Sequence, residues 1–249
     1  MGVTPIERRP QCRMVIFFVA TGNAHKMQEI RAILGERFQY LSLKNFPGAP
    51  ETIEDADTFA GNATKKAVEL GGWLAQRKAE GGTRQEELYV LADDSGLEVD
   101  ALNGAPGVHS ARFAATSESG NRRSARGAGN APDAANNAKL LHLLKSVPLE
   151  KRTARFRCVL ALTAVLPETR KGSSPVCYAD ELELQTELFE GVCEGHIGFA
   201  PQGQGGFGYD PLFIPDGYQQ SFAELGEDVK NELSHRAKAL ASLRARFLE

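Results

Sequence analysis

An apolar run, a small-residue turn and an amphipathic pattern, in that order near the start of the chain, most constrain its fold. Residues 14–20 (MVIFFVA) are apolar and rich in β-branched and aromatic side chains, as in a strand buried on both faces. The turn TGN interrupts the run, and apolar side chains then recur at helical spacing from Met27 to Leu34. Because helices must cover both faces of such a strand, the pattern predicts an α/β protein.

The remaining patterns extend this prediction along the chain. Three further helices are predicted: one with its apolar face on Phe59, Ala63, Ala67, Leu70 and Leu74, one N-capped by Asp133, and a last helix from about Val229. The predicted strands are a short buried strand over Leu88 to Ala92 that ends at Asp93 and a long half-buried strand from Phe156 to Leu162. Further strand patterns lie within Tyr178 to Gly195. Residues 117–132 are expected to form a mobile surface loop. We predict a loose extension over residues 1–13 and one domain with a mixed sheet over residues 14–249.

Composition excludes several classes of protein. The chain has 249 residues with 29 Lys and Arg against 32 Asp and Glu, so its net charge of −3 gives no general attraction to nucleic acid or anionic membrane. No apolar run approaches the roughly 20 residues of a membrane span, and the first residues lack the apolar stretch of a secretory signal. The four cysteines are too sparse for a disulfide framework. Together these features predict a cytoplasmic protein with reduced thiols.

The first candidate binding segment is TGNAHK, residues 21–26. A helix that begins after a small-residue turn presents backbone N–H groups that suit a phosphate. Lys26 falls in the first helical turn, where the helix dipole disfavours a cation unless an anion lies in front of it. The alternative is an ordinary capped helix with a solvated lysine, because the segment carries one glycine and is not a P-loop.

The second candidate is ADDSG, residues 92–96, which places two adjacent carboxylates at the predicted end of a buried strand. Open α/β sheets often bind ligands there. Carboxylate oxygens bind hard cations such as Mg²⁺, and a carboxylate beside such an ion can deprotonate a water. Further carboxylates that could complete a metal site are those of Glu51, Glu54, Asp55 and Asp57. The alternative is a turn whose Asp and Ser side chains bond their own backbone.

The third candidate is GQGGFGYDP, residues 203–211. Its formal G-x-G-x-x-G spacing is not a dinucleotide-binding fingerprint, because Pro211 and the apolar residues after it do not open a helix. What remains is a glycine-rich loop that presents Phe207 and Tyr209, whose rings could stack on a base. The alternative is a hairpin with both aromatic rings in the core.

The fourth candidate is KNELSHRAK, residues 230–238, near the start of the predicted last helix. Lys230, His235, Arg236 and Lys238 supply several hydrogen-bond donors that could hold phosphates or the acceptor edge of a base. The alternative is a solvated basic face, which is the usual meaning of such a run.

Together and in this order, these segments resemble the inosine triphosphate pyrophosphatase family, which hydrolyses dITP, ITP and XTP. The matching stretches are FVATGNAHKMQEI, TFAGNATKKA, LADDSGLEVDALNGAPGVHSARFA, GGFGYDPLF and SHRAKAL. They span about residues 15–243, and the block around Asp94 is the most specific. The resemblance implies an elongated two-lobed α/β protein around a long twisted mixed sheet, with substrate in the cleft between the lobes and usually a homodimer. It implies Mg²⁺-dependent hydrolysis of a nucleoside triphosphate to the monophosphate and pyrophosphate.

The resemblance also assigns roles to individual residues. Asp94 matches the catalytic carboxylate that acts on water and helps hold the metal, and Glu54 matches a metal-linked glutamate. Thr21, Asn23, Lys26 and Lys66 match contacts to the triphosphate, and the substrate-binding segment also includes Gly22, Ala24 and His25. The residues that match contacts to the nucleoside and its 6-oxo group are Ser95, Phe207, Gly208, Tyr209, Asp210, Lys230, His235 and Arg236.

Two features depart from the family pattern. Many members carry a glutamate just before the asparagine of the TFxxNA segment, where this chain has Gly61, so one supporting acid is missing. Residues 117–132 and about 169–185 are longer than usual, and the first of these loops is expected near the cleft mouth or the dimer surface.

Overall fold

A computed structural model describes residues 14–79, 87–115, 130–165 and 185–248. The helices and strands are β1 (Val15–Val19), α1 (Ala24–Leu34), β2 (Gln39–Ser42), α2 (Phe59–Ala79), β3 (Glu87–Val99), α3 (Asp133–Leu143), β4 (Thr153–Ala164), β5 (Thr186–Ile197), β6 (Phe213–Pro215), α4 (Phe222–Leu233) and α5 (His235–Arg246). The predicted extension over residues 1–13, and most of the two predicted long loops, lie outside the described residues. None of the helices in the described part is both long and apolar enough to cross a membrane.

Six strands form one mixed sheet in the order β2-β1-β3-β4-β5-β6, which confirms the predicted α/β class. Strands β2, β1 and β3 are parallel, whereas β4, β5 and β6 add antiparallel neighbours. The elongated two-lobed shape and the single-domain boundaries stay predictions.

The prediction that the third strand ends at Asp93 is wrong. β1 pairs with β3 only as far as Leu91, but β4 pairs with β3 from Tyr89 to Val99. The strand therefore continues through ADDSG, and both aspartates lie inside it. The polar residues suggested a turn, but the backbone pairing with β4 is a contact distant in sequence that local pattern does not reveal.

Alternation along β3 divides the core between two faces of the sheet. Val90 and Ala92 pack in a cluster with the apolar face of α2, which is buried as predicted. Leu91 packs on the other face, with residues of α1 and α5. Successive side chains of a strand point to opposite faces. The Asp93 side chain therefore lies on the face that packs against α1 and α5, and the Asp94 side chain lies on the face that packs against α2.

Two predicted helix boundaries need correction. The last helix begins at His235 rather than near Val229, because Ser234 has an extended backbone and its hydroxyl caps α5 by accepting a bond from the Ala237 N–H at 3.2 Å. Asp133 is the first helical residue of α3, and Pro132 occupies the N-cap. The predicted half-buried strand is half-buried only in its first part, since β4 is fully buried from Cys158 to Thr163.

Candidate active site

The segments singled out in the sequence converge on one cleft. Its lining includes these predicted site residues: Thr21, Gly22, Asn23, Lys26, Glu54, Lys66, Asp94, Ser95, Phe207, Gly208, Tyr209, Asp210, Lys230, His235 and Arg236. Ala24 does not line the cleft. His25 borders it, because its imidazole stacks on the Phe207 ring at 5.4 Å between centroids. Segments separated by up to about 215 residues therefore form a shared hollow.

The N-terminus of α1 is less open to a ligand than the turn pattern predicts. The Asn23 side chain caps the helix, and its Oδ1 accepts bonds from the backbone N–H groups of His25 at 2.9 Å and Lys26 at 3.3 Å. The Lys26 ammonium donates to the Asp93 carboxylate. The anion that compensates this lysine in the helix's first turn is thus a side chain of the protein itself.

Asp93 lies at the centre of a buried ion-pair network. One oxygen accepts from Lys26 and from the Ser95 hydroxyl at 3.0 Å, and the other accepts from Arg236 Nε at 2.8 Å and Cys158 Sγ at 3.4 Å. Burial alone would raise the pKa of Asp93, but the charges of Arg236 and Lys26 outweigh it and hold that pKa well below its usual range. Asp93 is therefore ionised and fully satisfied.

Arg236 extends the network toward α1. It donates to Ser95 Oγ at 2.9 Å and to the Glu29 carboxylate, and Glu29 also accepts from Lys230 at 2.8 Å. Lys230 in turn donates to Asp210 at 2.7 Å. Burial lowers the pKa of Arg236, yet Asp93 and Glu29 raise it more, so the guanidinium stays charged. Carboxylates and cations alternate along this buried chain of contacts.

Asp94 faces α2 and has different surroundings. Lys66 Nζ lies 3.7 Å from Asp94 Oδ1, 3.2 Å from Glu54 Oε1 and 2.7 Å from the Asp93 carbonyl oxygen. Burial raises the pKa of Asp94 to about 6, although Lys66 and Lys26 oppose the shift. Burial also lowers the pKa of Lys66, but the Asp94 and Glu54 charges prevail and raise it. One lysine is thus shared by two carboxylates.

Glu54 lies on the acid loop, which we define as residues 51–57. The loop is fixed to α2 because Asn62 Oδ1 accepts from the Ala56 N–H at 2.9 Å. It also lies close to Gly61, where an added Cβ would come within 2.8 Å of the Ala56 Cβ. A glutamate at position 61 would have to displace this loop, which gives the departure from the family pattern a structural consequence.

The glycine-rich loop contributes two aromatic residues to the lining of the cleft, of which Phe207 is partly exposed and Tyr209 is buried. Lys230 Nζ lies 4.3 Å from the Phe207 ring centroid. Tyr209 is buried in the core, and its hydroxyl donates to the Ser110 carbonyl at 2.9 Å, so the prediction that its ring is presented for stacking is wrong. Gly206 has a φ of +73° and approaches Asp210 so closely that a Cβ would lie 2.3 Å from the carboxylate. Tyr209 is therefore a core residue, whereas the position of Phe207 is compatible with stacking on a base.

His235 lies at the first position of α5 with its ring stacked on Phe156 at 4.8 Å. Burial, together with the charge of Arg236, holds the pKa of His235 well below its usual range. The imidazole is therefore neutral at neutral pH and has one donor and one acceptor nitrogen.

Buried polar atoms without a hydrogen-bond partner in the described structure are found in the lining of the cleft. They are Thr52 Oγ1, Asp94 Oδ2, Arg112 Nε and His235 Nδ1. Such atoms are rare because each costs about 1–3 kcal/mol when left unsatisfied. Their positions in the lining suit a polar ligand.

The carboxylates of this cleft fit a hard cation in part. Asp94 Oδ2 has no partner, and Glu54 and Asp94 both lie beside Lys66. No cluster of three or more His, Cys, Asp or Glu side chains suited to a metal occurs in the described ranges. Mg²⁺ is typically held by one or two carboxylates, with waters and substrate phosphates as its other ligands. The pair Glu54 and Asp94 therefore suits a cation that arrives with a phosphorylated ligand.

Four residues of the site are not among the residues predicted from the sequence. Asp93 is predicted only as the neighbour of Asp94, and Glu29, Asn62 and Arg112 are not predicted individually. Glu29 follows Lys26 by three residues, so helical spacing placed the two on one face of α1. Asn62 precedes Lys66 by one helical turn, which is a similar signal. Arg112 had no local signal.

The fold and the cleft define a class: an α/β protein whose site combines cations and carboxylates suited to a phosphorylated ligand. Residues 17–246 match the Ham1 family, and the chain belongs to that family.

Curated relatives and solved structures agree with this membership. The chain is 45% identical over 223 residues to the dITP/XTP pyrophosphatase of Desulforamulus reducens, covering 89% of this chain and 90% of the relative. It is 43% identical to the dITP/XTP pyrophosphatase of Geobacter sulfurreducens, covering 93% and 96%. A HAM1 protein structure from Coxiella burnetii aligns with a TM-score of 0.69 at 32% identity, covering 94% and 99%. A nucleoside-triphosphatase and dITP/XTP pyrophosphatase structure from Mycobacterium abscessus aligns with a TM-score of 0.60 at 35% identity, covering 92% and 98%.

Proposed function

We propose that this protein hydrolyses the non-standard purine nucleoside triphosphates ITP, dITP and XTP to the monophosphate and pyrophosphate. The observation that carries the proposal is the convergence of Lys26, Lys66, Asp94, Phe207 and Arg236 on one cleft, in a chain that belongs to the Ham1 family. The cleft offers cations for a polyphosphate, a carboxylate for water and an aromatic ring for a base.

The phosphate chemistry is assigned to the end of the cleft near Asp94. With a pKa of about 6, Asp94 is mostly ionised at neutral pH and can accept a proton from the attacking water. Lys66 is charged beside it and can neutralise phosphate oxygens that would otherwise repel the water. The anhydride bond that breaks lies between the α- and β-phosphates, so nucleoside monophosphate and pyrophosphate are the products.

We propose Mg²⁺ as the cofactor, held by Glu54 and Asp94. When bound, such an ion supplies charge neutralisation and orientation of the phosphate oxygens. Lys66 lies between the two carboxylates and limits their mutual repulsion. We further propose that the protein acts as a homodimer and in the cytoplasm, where free nucleotides are used.

Selection of the base is assigned to the part of the cleft lined by Arg236 and Phe207. Hypoxanthine and xanthine carry an acceptor at position 6, where adenine carries an amino donor. Arg236 has five N–H donors, and its bonds to Glu29, Asp93 and Ser95 use three of them. The remaining donors suit a 6-oxo group, and adenine would leave buried donors facing each other. Phe207 supplies the surface on which the base stacks.

A panel of ITP, dITP, XTP, GTP, ATP and CTP with Mg²⁺, scored separately for pyrophosphate and orthophosphate, tests the proposal. We expect pyrophosphate from the first three and much slower turnover of ATP. Equal turnover of ATP and ITP would contradict the proposed selection of the base. Release of orthophosphate would indicate a different hydrolase.

The alternative is a nucleotide sensor that binds in the same cleft without catalysis. The raised pKa of Asp94 and its unpartnered buried oxygen favour hydrolysis, because a sensor has no use for a proton acceptor in that position. Binding of ITP without product in the panel would support the sensor.

A further inference from the structure

Arg112 is a cation of the cleft that lies beside the acid loop. It belongs to the 3-10 helix at Gly107–Ala115, where its φ of −123° and ψ of 20° depart from helical values. Its side chain lines the cleft, and Nη2 donates to the carbonyl oxygen of Glu54 at 3.0 Å. The guanidinium is therefore attached to the acid loop through the loop's backbone and not through a carboxylate.

No described carboxylate forms an ion pair with the Arg112 guanidinium, although the neighbouring acid loop carries several carboxylates. Its Nε is buried and has no acceptor. A buried N–H of a charged group is costly when it has no partner, so an anionic acceptor from outside the chain suits this position.

We propose that Arg112 binds a phosphate oxygen of the nucleotide's polyphosphate chain while it holds the acid loop in place. The inference rests on the proposed function and adds a substrate-binding residue to the same cleft. A guanidinium presents its N–H groups as a planar fork that matches phosphate oxygens. One arm of the fork is used by Glu54, and Nε remains for the ligand. Thr52 Oγ1, on the same loop, is a second buried atom without a partner and supplies a further donor.

Asn62 provides a comparison that separates phosphate binding from loop positioning. It is fully buried and holds the same loop by accepting the Ala56 N–H. Its amide is neutral, so it cannot replace a charge that binds phosphate. If Arg112 acts only through the loop, changes at Arg112 and Asn62 should have the same effects; if Arg112 binds phosphate, they should differ when no metal is present.

The experiment is calorimetric titration of the full chain with inorganic tripolyphosphate, once in EDTA and once in Mg²⁺. In EDTA we expect Arg112→Gln to weaken binding at least about tenfold, the scale of one charge-assisted hydrogen bond. Arg112→Lys, which keeps the charge but not the fork, should fall between that variant and wild type. Asn62→Ala removes no charge, so it should bind nearly as wild type in EDTA and show weaker binding only in Mg²⁺, where the positions of Glu54 and of Asp94, with which the Asn62 side chain also interacts, matter.

Arg155→Gln is the matched control for loss of one positive charge, since Arg155 forms ion pairs with Asp100 and Glu194 and does not line the cleft. It should leave tripolyphosphate affinity unchanged in both buffers. The proposal would be overturned if Arg112→Gln bound tripolyphosphate in EDTA with wild-type affinity, or if its binding were weakened only in Mg²⁺. It would also be overturned if the wild-type protein did not bind tripolyphosphate in EDTA.

A measurement on the wild-type protein decides the matter if Arg112→Gln does not fold. Tripolyphosphate in EDTA should slow modification of Arg112 by phenylglyoxal, followed by peptide mass spectrometry, and an unchanged rate would contradict phosphate binding. The wild-type product assay with ITP is run in parallel. Absence of pyrophosphate there would contradict the proposed function, whereas an unprotected Arg112 with normal turnover would contradict this inference alone.

Discussion

Asp93 and Asp94 are neighbours in β3 and both are buried, but they differ in almost every physical property. Asp93 accepts from four donors and its pKa lies well below the usual range. Asp94 has one buried oxygen without a partner, and its pKa is raised to about 6. Because a strand alternates its side chains, each carboxylate meets a different set of helices. Adjacent identical residues thus acquire different tasks: Asp93 joins α1 to α5, and Asp94 remains available for chemistry.

The largest effect should follow removal of the Asp93 charge. Among the described residues, Asp93→Asn leaves the buried guanidinium of Arg236 with Glu29 as its one remaining ionic partner and removes the ionic partner of Lys26. Breaking a buried ion pair by removing one partner costs about 3–5 kcal/mol. We expect a loss of that size in the free energy of unfolding, measured by urea denaturation. A loss below about 1 kcal/mol would show that the network contributes little to stability.

The second effect concerns turnover. Asp94→Asn keeps the shape of the side chain but cannot accept a proton, so we expect ITP turnover to fall at least about 100-fold. Asp100→Asn is the matched control, because Asp100 is an exposed aspartate beyond the end of β3. Turnover within a few-fold of wild type in Asp94→Asn would contradict its role as proton acceptor.

The same Asp94→Asn change should stabilise the fold. The pKa rises from 3.8 to about 6, a shift of about two units, and each unit corresponds to 1.36 kcal/mol, so the expected gain is at most about 3 kcal/mol at pH 8. Between pH 6 and 4 the folded state binds more protons at Asp94 than the unfolded state, so wild-type stability rises as pH falls.

The gain from Asp94→Asn should therefore shrink through that window and vanish below about pH 4. Urea denaturation of both proteins at pH 8, 6 and 4 measures it. If Asp94→Asn were less stable than wild type at pH 8, the burial of Asp94 would not destabilise the folded state, and the proposed contrast with Asp93 would be contradicted.

The comparison also explains what the sequence could and could not predict. The buried strand β1, the start of α1 and the apolar face of α2 follow local periodicity, and the structure confirms them. The end of β3 and the ion pair between Glu29 and Arg236 cannot be predicted from local periodicity, because both depend on partners far along the chain. ADDSG has the same letters whether it forms a turn or a strand, and only the pairing with β4 decides.

The smallest expected effect tests whether the Asp93 network, on the face of the sheet that packs against α1 and α5, can be weakened without changing ITP turnover. Cys158 Sγ is buried and donates to Asp93 Oδ2, and burial raises its pKa well above the usual range, so the thiol remains protonated. Cys158→Ala removes a weak donor and a small volume. We expect a loss of about 1 kcal/mol in the free energy of unfolding and unchanged ITP turnover. Cys193→Ala, a buried cysteine without contact to either aspartate, controls for the lost volume. A fall in turnover specific to Cys158→Ala would mean that the Asp93 network also determines the rate, and the division between the two aspartates would not hold.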